Sequence, residues 1–156
     1  MSKVLKDIKF RLGKISTLQF AIIEEAFKPN EPIKFDYFIT FFRQNALRMI
    51  VVDFKTAFKI DDKFFIVFEM AMQFQLHEET MKMFLDTETD NLKLDYDFAT
   101  HLTVLTIGAA RGILHEKTEG TIYNHFLIPL LNYKSVLKKV DGFYIVSNIV
   151  QETVIK

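Results

Sequence analysis

The sequence AARGILHEKTEGTIYNHFLIPLLN, residues 109–132, separates two kinds of sequence in this chain. Its first half continues a helical pattern, and Gly120 is the residue type that commonly follows the last turn of a helix. An apolar segment then ends at Pro129 and Asn132. Most of the sequence before residue 95 alternates between apolar and polar residues, as strands do. We therefore expect this stretch to end the longest helix and to lead the chain back over a sheet.

The size and charge of the chain limit the classes of protein that it can belong to. Its 156 residues predict one domain, 1–156. Twenty basic and twenty acidic side chains give a net charge of zero, which argues against nucleic acid as the main partner. There is no cysteine, and no apolar run approaches the roughly 18 residues of a membrane span. We expect a cytoplasmic protein with no membrane insertion.

Alternating apolar residues predict four long strands before residue 77. Short polar links join most of them, which requires antiparallel neighbours and predicts an antiparallel meander. Lys28–Pro32 and Asp61–Lys63 are the clearest turns. The strand pattern covers 8–12 and 16–23 in two pieces, then 33–42, 50–60 and 64–76.

The hydrophobic period then changes from two residues to three or four. A short helix is predicted over 78–85, a polar loop over 86–93, and a long helix from the cap Asp95 to about Thr118. The long helix carries two apolar stripes, which predicts burial against the sheet on one side and against a second copy on the other. Residues 134–140 are compatible with a short helix, and residues 142–146 with a strand or a tail.

The search for catalytic and metal-binding motifs gives negative results. His77 and His115 each precede a glutamate but lack the second histidine four residues later that a zincin helix needs. The five glycines form no phosphate-binding loop. Arg111 lies within the apolar turns of the long helix, where a side chain that snorkels outward, or one that pairs with a carboxylate at a subunit contact, explains it better than anion binding. We expect no enzyme activity, no cofactor and no metal site.

The aromatic content is the feature that points to binding. Seventeen Phe and five Tyr exceed what a domain of this size commonly hides, and surplus aromatic surface is typical of self-association or of a binding groove. On the second face of the sheet, apolar side chains are mixed with polar ones. An oligomer partner could cover this face, or it could bind extended peptide segments. The candidate client-binding residues are Ile23, Phe38, Phe42, Val51, Phe65 and Val67.

The order of elements, together with Ala110-Arg111, Ile113-Leu114, residues 119–121 and Leu127–Asn132, resembles the SecB family of protein-export chaperones. The resemblance covers roughly residues 8–140. It implies an α+β fold in which a four-stranded antiparallel sheet is followed by a short and a long helix on one face. It also implies a homotetramer built as a dimer of dimers, whose grooves bind unfolded polypeptide without ATP. Arg111, Gly120, Pro129 and Asn132 would serve structure and assembly.

Two departures from the family bear on the partners. The family is typically acidic and carries a C-terminal metal-binding tail, and both features help it to dock on the translocase motor. This chain is neutral, and residues 149–156 contain no metal ligand pattern. These departures argue against the motor as a partner. A SecB-fold module with one dedicated partner, such as an antitoxin, is therefore the alternative to a general chaperone. An enzyme or small-ligand binder with an aromatic cavity is a third possibility.

Overall fold

The main sheet has four antiparallel strands. In this computed structural model, which describes residues 7–147, they span β1 (Phe10–Ile22), β2 (Lys34–Gln44), β3 (Met49–Ile60) and β4 (Lys63–Leu76). The α+β class and the antiparallel sheet predicted from the sequence are confirmed. The bounds of β2, β3 and β4 lie within two residues of the prediction, since a regular alternation with polar turns is a local signal.

The strand order is β1-β4-β3-β2, so only β2, β3 and β4 form a meander. The first strand pairs with β4 and not with β2, which is a correction to the simple meander. The connection from β1 to β2 passes through a 3-10 helix, Glu24–Ala26, which buries Ala26 and packs the half-buried Phe27 ring against the core. This crossover places β1 and β2 at opposite edges of the sheet.

Three β-bulges interrupt the regular pairing. In β1 the residues Gly13 and Leu18 have no partner in the register with β4, and β1 is one strand and not two pieces. In β4 the residue Phe65 lies between Phe64, which pairs with Lys59, and Ile66, which pairs with Phe58. A bulge inserts one residue and reverses the side-chain alternation beyond it.

The first two helices after the sheet begin at side-chain caps. His77 accepts a hydrogen bond from the Glu79 amide at the start of α1 (Glu78–Phe84). Asp95 accepts one from the Phe98 amide at the start of α2 (Tyr96–Thr118). The predicted bounds of α2 are confirmed, because the cap and the apolar spacing both belong to the local sequence.

A second, two-stranded sheet lies in the helix layer. It consists of β5 (Leu92–Asp95) and β6 (Phe143–Val146), which pair antiparallel. The end of the loop predicted over 86–93 is therefore a strand. For residues 142–146, the sequence left a strand or a tail open, and the structure has a strand. The predicted helix over 134–140 is shorter, α3 (Tyr133–Val136).

The core lies between one face of the main sheet and the layer formed by α2, the small sheet and the segment after α2. On the sheet side it contains the residues of β3 and β4 that alternate inward, of which Phe54, Phe68 and Phe74 are fully buried. On the helix side it contains Phe98, Leu102, Ile107 and Leu114. The helices pack on one face, and the opposite face of the sheet is the open face from here on.

Candidate functional site

Apolar side chains on the open face are exposed mainly near the β2 edge and near the ends of β1 and β4. Phe38 on β2 has 67% of its surface exposed, and Phe64 and Ile23 have 45% and 39%. Phe42 and Val67 are half-buried. Four of the six residues predicted as client-binding, namely Ile23, Phe38, Phe42 and Val67, therefore remain accessible in this structure.

Phe65 does not belong to the open face. The bulge in β4 turns its ring into the core, where it is fully buried and lies 5.0 Å from the Phe126 ring and 5.2 Å from the Phe27 ring, centroid to centroid. The sequence alternation placed it on the open face because a bulge depends on the partner strand, β3. Its placement is a correction, and the residue cannot contact a partner without unfolding of this end of the molecule.

Val51 is also inaccessible, with 1% of its surface exposed. It lies on a central strand, and its register partners are Phe42 and Gln73, which have longer side chains. A short β-branched side chain between longer cross-strand neighbours is covered by them. Val51 therefore supports Phe42 from the side and contributes little surface of its own.

Polar and charged side chains cross the middle of the open face. Lys59 and Asp36 form an ion pair at 2.8 Å, and Lys55 and Glu69 form one at 3.8 Å. Burial and the nearby Glu69 carboxylate raise the pKa of Asp53 to about 7, while Lys55 acts in the opposite direction. The open face is thus a mixed surface, and its most exposed apolar side chain, Phe38, lies at the β2 edge.

The β2 edge is aromatic on both of its faces. On the core-facing side, Phe35 and Tyr37 stack at 6.0 Å between ring centroids and are only half-buried, as is Ile39. On the open side lie Phe38 and Phe42. The pairing of β2 with β3 has no register shift, and among the described residues no backbone bond satisfies its outer edge. From strict alternation alone, Phe35, Tyr37 and Ile39 are assigned to a buried face. Their partial exposure could not be predicted in this way, because alternation does not show which strand lies at an edge of the sheet.

Arg111 holds the segment that follows α2. We call residues 126–132 the return segment. The Arg111 side chain donates from Nη2 to the Pro129 carbonyl at 2.7 Å, from Nε to the Ile128 carbonyl at 3.1 Å, and from Nη1 to the Tyr133 hydroxyl at 3.2 Å. Its partners are therefore main-chain carbonyls and a hydroxyl of this chain, and not the carboxylate considered as one possible partner.

The other residues predicted as structural lie at the two ends of the same connection. Gly120 lies two residues after the last residue of α2 and has a φ of +78°, a conformation that glycine adopts without strain. The Asn132 side chain accepts a hydrogen bond from the Lys134 amide and caps α3. Between α2 and the return segment lies a cleft of about 370 Å³. The exposed side chains of Leu127 and Leu130 lie at its rim.

The described residues offer no constellation for metal chemistry. Within residues 7–147 there is no group of three or more His, Asp or Glu side chains that could hold an ion. His115 and the Asn124 side chain lie within hydrogen-bonding distance, 3.3 Å, at the end of α2. No helix in this part of the chain is long and apolar enough to cross a membrane.

Comparison with solved structures identifies the architecture. A SecB-like chaperone of Mycobacterium tuberculosis, Rv1957, solved in complex with a ChAD peptide from the HigA1 antitoxin Rv1956, superposes with a TM-score of 0.51. The alignment covers 79% of this chain and 88% of that chain, at 16% sequence identity. This chain has a SecB-like fold. No family model matches the sequence, and no curated protein matches it.

Proposed function

We propose that this protein binds extended, non-native polypeptide segments along the β2 edge, as an ATP-independent chaperone of the cytoplasm. The observation that carries the proposal is the regular outer edge of β2, unpaired among the described residues, with aromatic side chains on both of its faces. The peptide held by the Rv1957 neighbour supports polypeptide binding in general.

The chemistry of such an edge is suited to clients of many sequences. An added strand gains main-chain hydrogen bonds, which do not depend on side-chain identity. Alternate side chains of the client would contact Phe38 and Phe42 on one face and Tyr37 and Ile39 on the other. Such contacts favour apolar residues in the client but do not require a particular residue type. This mode of recognition needs neither a catalytic group nor a cofactor.

We also propose that the chain forms a homo-oligomer, with the dimer of dimers as the arrangement that the SecB-like fold favours. Leu12 and Ile15 on β1 lie on the face that α2 covers, yet 50% and 45% of their surfaces are exposed. Val104 and Leu105 on α2 are each 38% exposed. A second copy packed on this layer would bury them, as the two apolar stripes of α2 predict.

The second candidate function is a SecB-fold module that serves one dedicated partner. The observation that favours it is the neighbour's peptide, which comes from a single antitoxin. The two functions differ in the range of clients. Affinity capture from a lysate followed by quantitative mass spectrometry would give one dominant partner for the dedicated module and a broad set for the chaperone.

The direct test is suppression of client aggregation, measured by light scattering without nucleotide. We expect suppression near a stoichiometric ratio, and a clear loss of it in Phe38→Asp. The matched control is Leu130→Asp, since Leu130 is 90% exposed but lies on the return segment and not on the sheet. If the wild-type chain neither suppresses aggregation nor binds any unfolded client, the chaperone proposal is wrong even though the fold is correct.

A second assay isolates the main-chain contribution. A labelled, extended apolar peptide is compared with the same peptide N-methylated at alternate residues, which removes amide donors along one edge. We expect the methylated peptide to bind at least about tenfold more weakly, because each lost hydrogen bond costs about 1 kcal/mol. Equal affinities would show that binding does not proceed by strand addition.

A further inference from the structure

A cleft of about 370 Å³ lies at the end of the main sheet where β1 and β3 begin and β4 ends. Among the described residues, its lining contains no carboxylate and four basic side chains, namely Lys9, Arg11, Arg48 and His77. The chain as a whole is neutral, so this excess of basic side chains is local. A cleft lined by one sign of charge concentrates ligands of the opposite sign. We call it the basic cleft, and it is a candidate site for an anion.

Two of the four basic side chains have no acidic partner in the described part of the chain. The Glu79 carboxylate lies 3.9 Å from Lys9 Nζ and 4.0 Å from His77 Nδ1, so it already serves these two groups. Arg11 and Arg48 have no described carboxylate at ion-pair distance. A guanidinium group is always charged and pairs with carboxylates through two parallel hydrogen bonds. The two arginines are therefore the groups that a ligand can use.

The Arg11 guanidinium is held in place by Gln75. The Gln75 side chain accepts a hydrogen bond from Arg11 Nε at 2.7 Å and donates one to the Leu47 carbonyl at 3.3 Å. No described residue accepts a hydrogen bond from Nη1 or Nη2 of Arg11. A side chain that is already ordered loses less conformational entropy when it binds a ligand. The free end of the Arg11 guanidinium is thus pre-organised for an oxyanion.

The backbone of Arg48 is an independent indication of a binding role. Its φ is +51°, whereas the other described non-glycine residues with positive φ are all Asn or Asp, which tolerate this conformation. The Arg48 carbonyl accepts a hydrogen bond from the Leu76 amide at 2.8 Å, which holds the turn in place. Residues in such strained conformations cluster at binding sites. Asn would fit this turn with less strain, so the turn alone does not explain an arginine.

The donors of the basic cleft suit a carboxylate better than a phosphate. Phosphate sites commonly recruit main-chain amides, at a helix N-terminus or in a glycine-rich loop. Around this cleft the amides are already used. The Lys9 amide donates to the Thr80 hydroxyl, and the His77 amide donates to the Lys9 carbonyl. The Glu79 amide donates to His77 Nδ1. The donors that remain are those of the arginine side chains, which match the planar oxygens of Asp and Glu.

We propose that the basic cleft binds an acidic segment of a polypeptide, whose carboxylates pair with Arg11 and Arg48. Two separate guanidinium groups call for two carboxylates, which neighbouring acidic residues of an extended peptide provide. Arg11 lies on β1, at the opposite edge of the sheet from β2. Binding in the cleft therefore does not require the aromatic edge and goes beyond the proposed function.

The test is fluorescence anisotropy with a short labelled peptide of alternating Asp and Ser, compared with the same peptide in which Asn replaces Asp. Neither peptide carries apolar side chains, and the Asn peptide reports any main-chain pairing with the β2 edge. We expect the acidic peptide to bind at least about tenfold more tightly at low ionic strength. This difference should shrink at about 0.5 M salt, because surface charges are then screened.

Single substitutions in the full chain locate the site. Arg11→Gln and Arg48→Asn should each weaken binding of the acidic peptide about five- to tenfold, because each removes a charged donor at a partly solvated site. Gln75→Glu keeps every basic residue but supplies Arg11 with an internal carboxylate, so it should weaken binding to a similar degree. Lys63→Gln is the matched control, since it removes an exposed charge at the opposite end of β4 and should change the affinity by less than about twofold. Arg48→Asn should not lower the melting temperature, because Asn tolerates a positive φ.

Four results would overturn the proposal. The first is absence of binding of the acidic peptide to the wild-type chain, and the second is equal affinity for the Asp and Asn peptides. The third is an equal loss in Lys63→Gln and in the arginine variants, since it would show a response to net charge and not to the cleft. The fourth comes from competition at equal ionic strength. Displacement of the peptide by inorganic phosphate at a much lower concentration than by acetate would assign the cleft to phosphate and not to carboxylates.

Discussion

Replacing Arg111 by alanine tests whether this side chain fixes the return segment. The substitution removes three hydrogen bonds from a charged donor, two to the carbonyls of Ile128 and Pro129 and one to the Tyr133 hydroxyl. Hydrogen bonds that involve a charged group contribute about 1.5–3 kcal/mol each when buried. Because this site is half-exposed, we expect a total loss of about 2–4 kcal/mol in the free energy of unfolding. Alanine favours helix as well as arginine does, so helix propensity cannot cause the loss.

The measurement is urea denaturation at fixed protein concentration, together with the melting temperature, which should fall by roughly 4–16 °C. Tyr133→Phe removes one of the three bonds and should cost about 0.5–1.5 kcal/mol. Arg111→Lys keeps the charge but cannot reach two carbonyls in a fork, so it should lie between the wild type and Arg111→Ala. A loss below about 0.5 kcal/mol in Arg111→Ala would refute the reasoning. The apolar contacts of Phe126 and Ile128 would then be what holds the segment.

Three further predictions concern a buried and an exposed phenylalanine, the carboxyl group of Asp53, and the backbone at Gly120. Phe65→Ala should lower the free energy of unfolding by about 3–5 kcal/mol, because it leaves a cavity among four aromatic rings. Phe38→Ala should change the free energy of unfolding by less than about 0.5 kcal/mol. Urea titration of both variants measures the two effects. The pKa of Asp53 is about 7 in the folded protein, against 3.8 for an unperturbed aspartate, so the folded state binds this proton more tightly and loses that stabilisation as pH rises through 7. Asp53→Asn should therefore raise the free energy of unfolding at pH 8, by about 1 kcal/mol after discounting for solvent screening. This gain in stability should disappear toward pH 4. A gain that is independent of pH would contradict the raised pKa of Asp53. Gly120→Ala should cost about 1 kcal/mol in thermal melts, since alanine is strained at a φ of +78°.

Features that depend on nearby residues could be predicted from the sequence. The start of α2 at Asp95 and its end at Thr118 follow from a cap and from apolar spacing within one segment. The turn between β3 and β4 follows from Asp61 and Asp62, both of which adopt positive φ in the structure. The exposure of Phe38 on the open face follows from alternation along β2.

Features that depend on pairing between distant segments could not be predicted. Nothing within β1 indicates that its partner is β4, because the same alternation fits any antiparallel neighbour. The bulge that buries Phe65 arises where β3 and β4 pair, and the four residues of β5 are too few to show a period. The edge position of β2 follows only from the whole strand order, which is why alternation alone does not reveal that Phe35, Tyr37 and Ile39 are half-exposed.

The location of the aromatic residues carries more information than their number. Phe27, Phe58, Phe65, Tyr123 and Phe126 form one cluster of ring contacts that closes an end of the core, so much of the aromatic surplus serves stability. The rings of β2 remain at least partly exposed, apart from the buried Phe41, and they flank a single regular edge in two rows. If the open face alone bound clients, a partner subunit packed on that face would block binding. Because the proposed site includes the edge and its core-facing side, packing of copies through β1 and α2 would leave it accessible. Assembly and client binding can therefore occupy opposite edges of the same sheet.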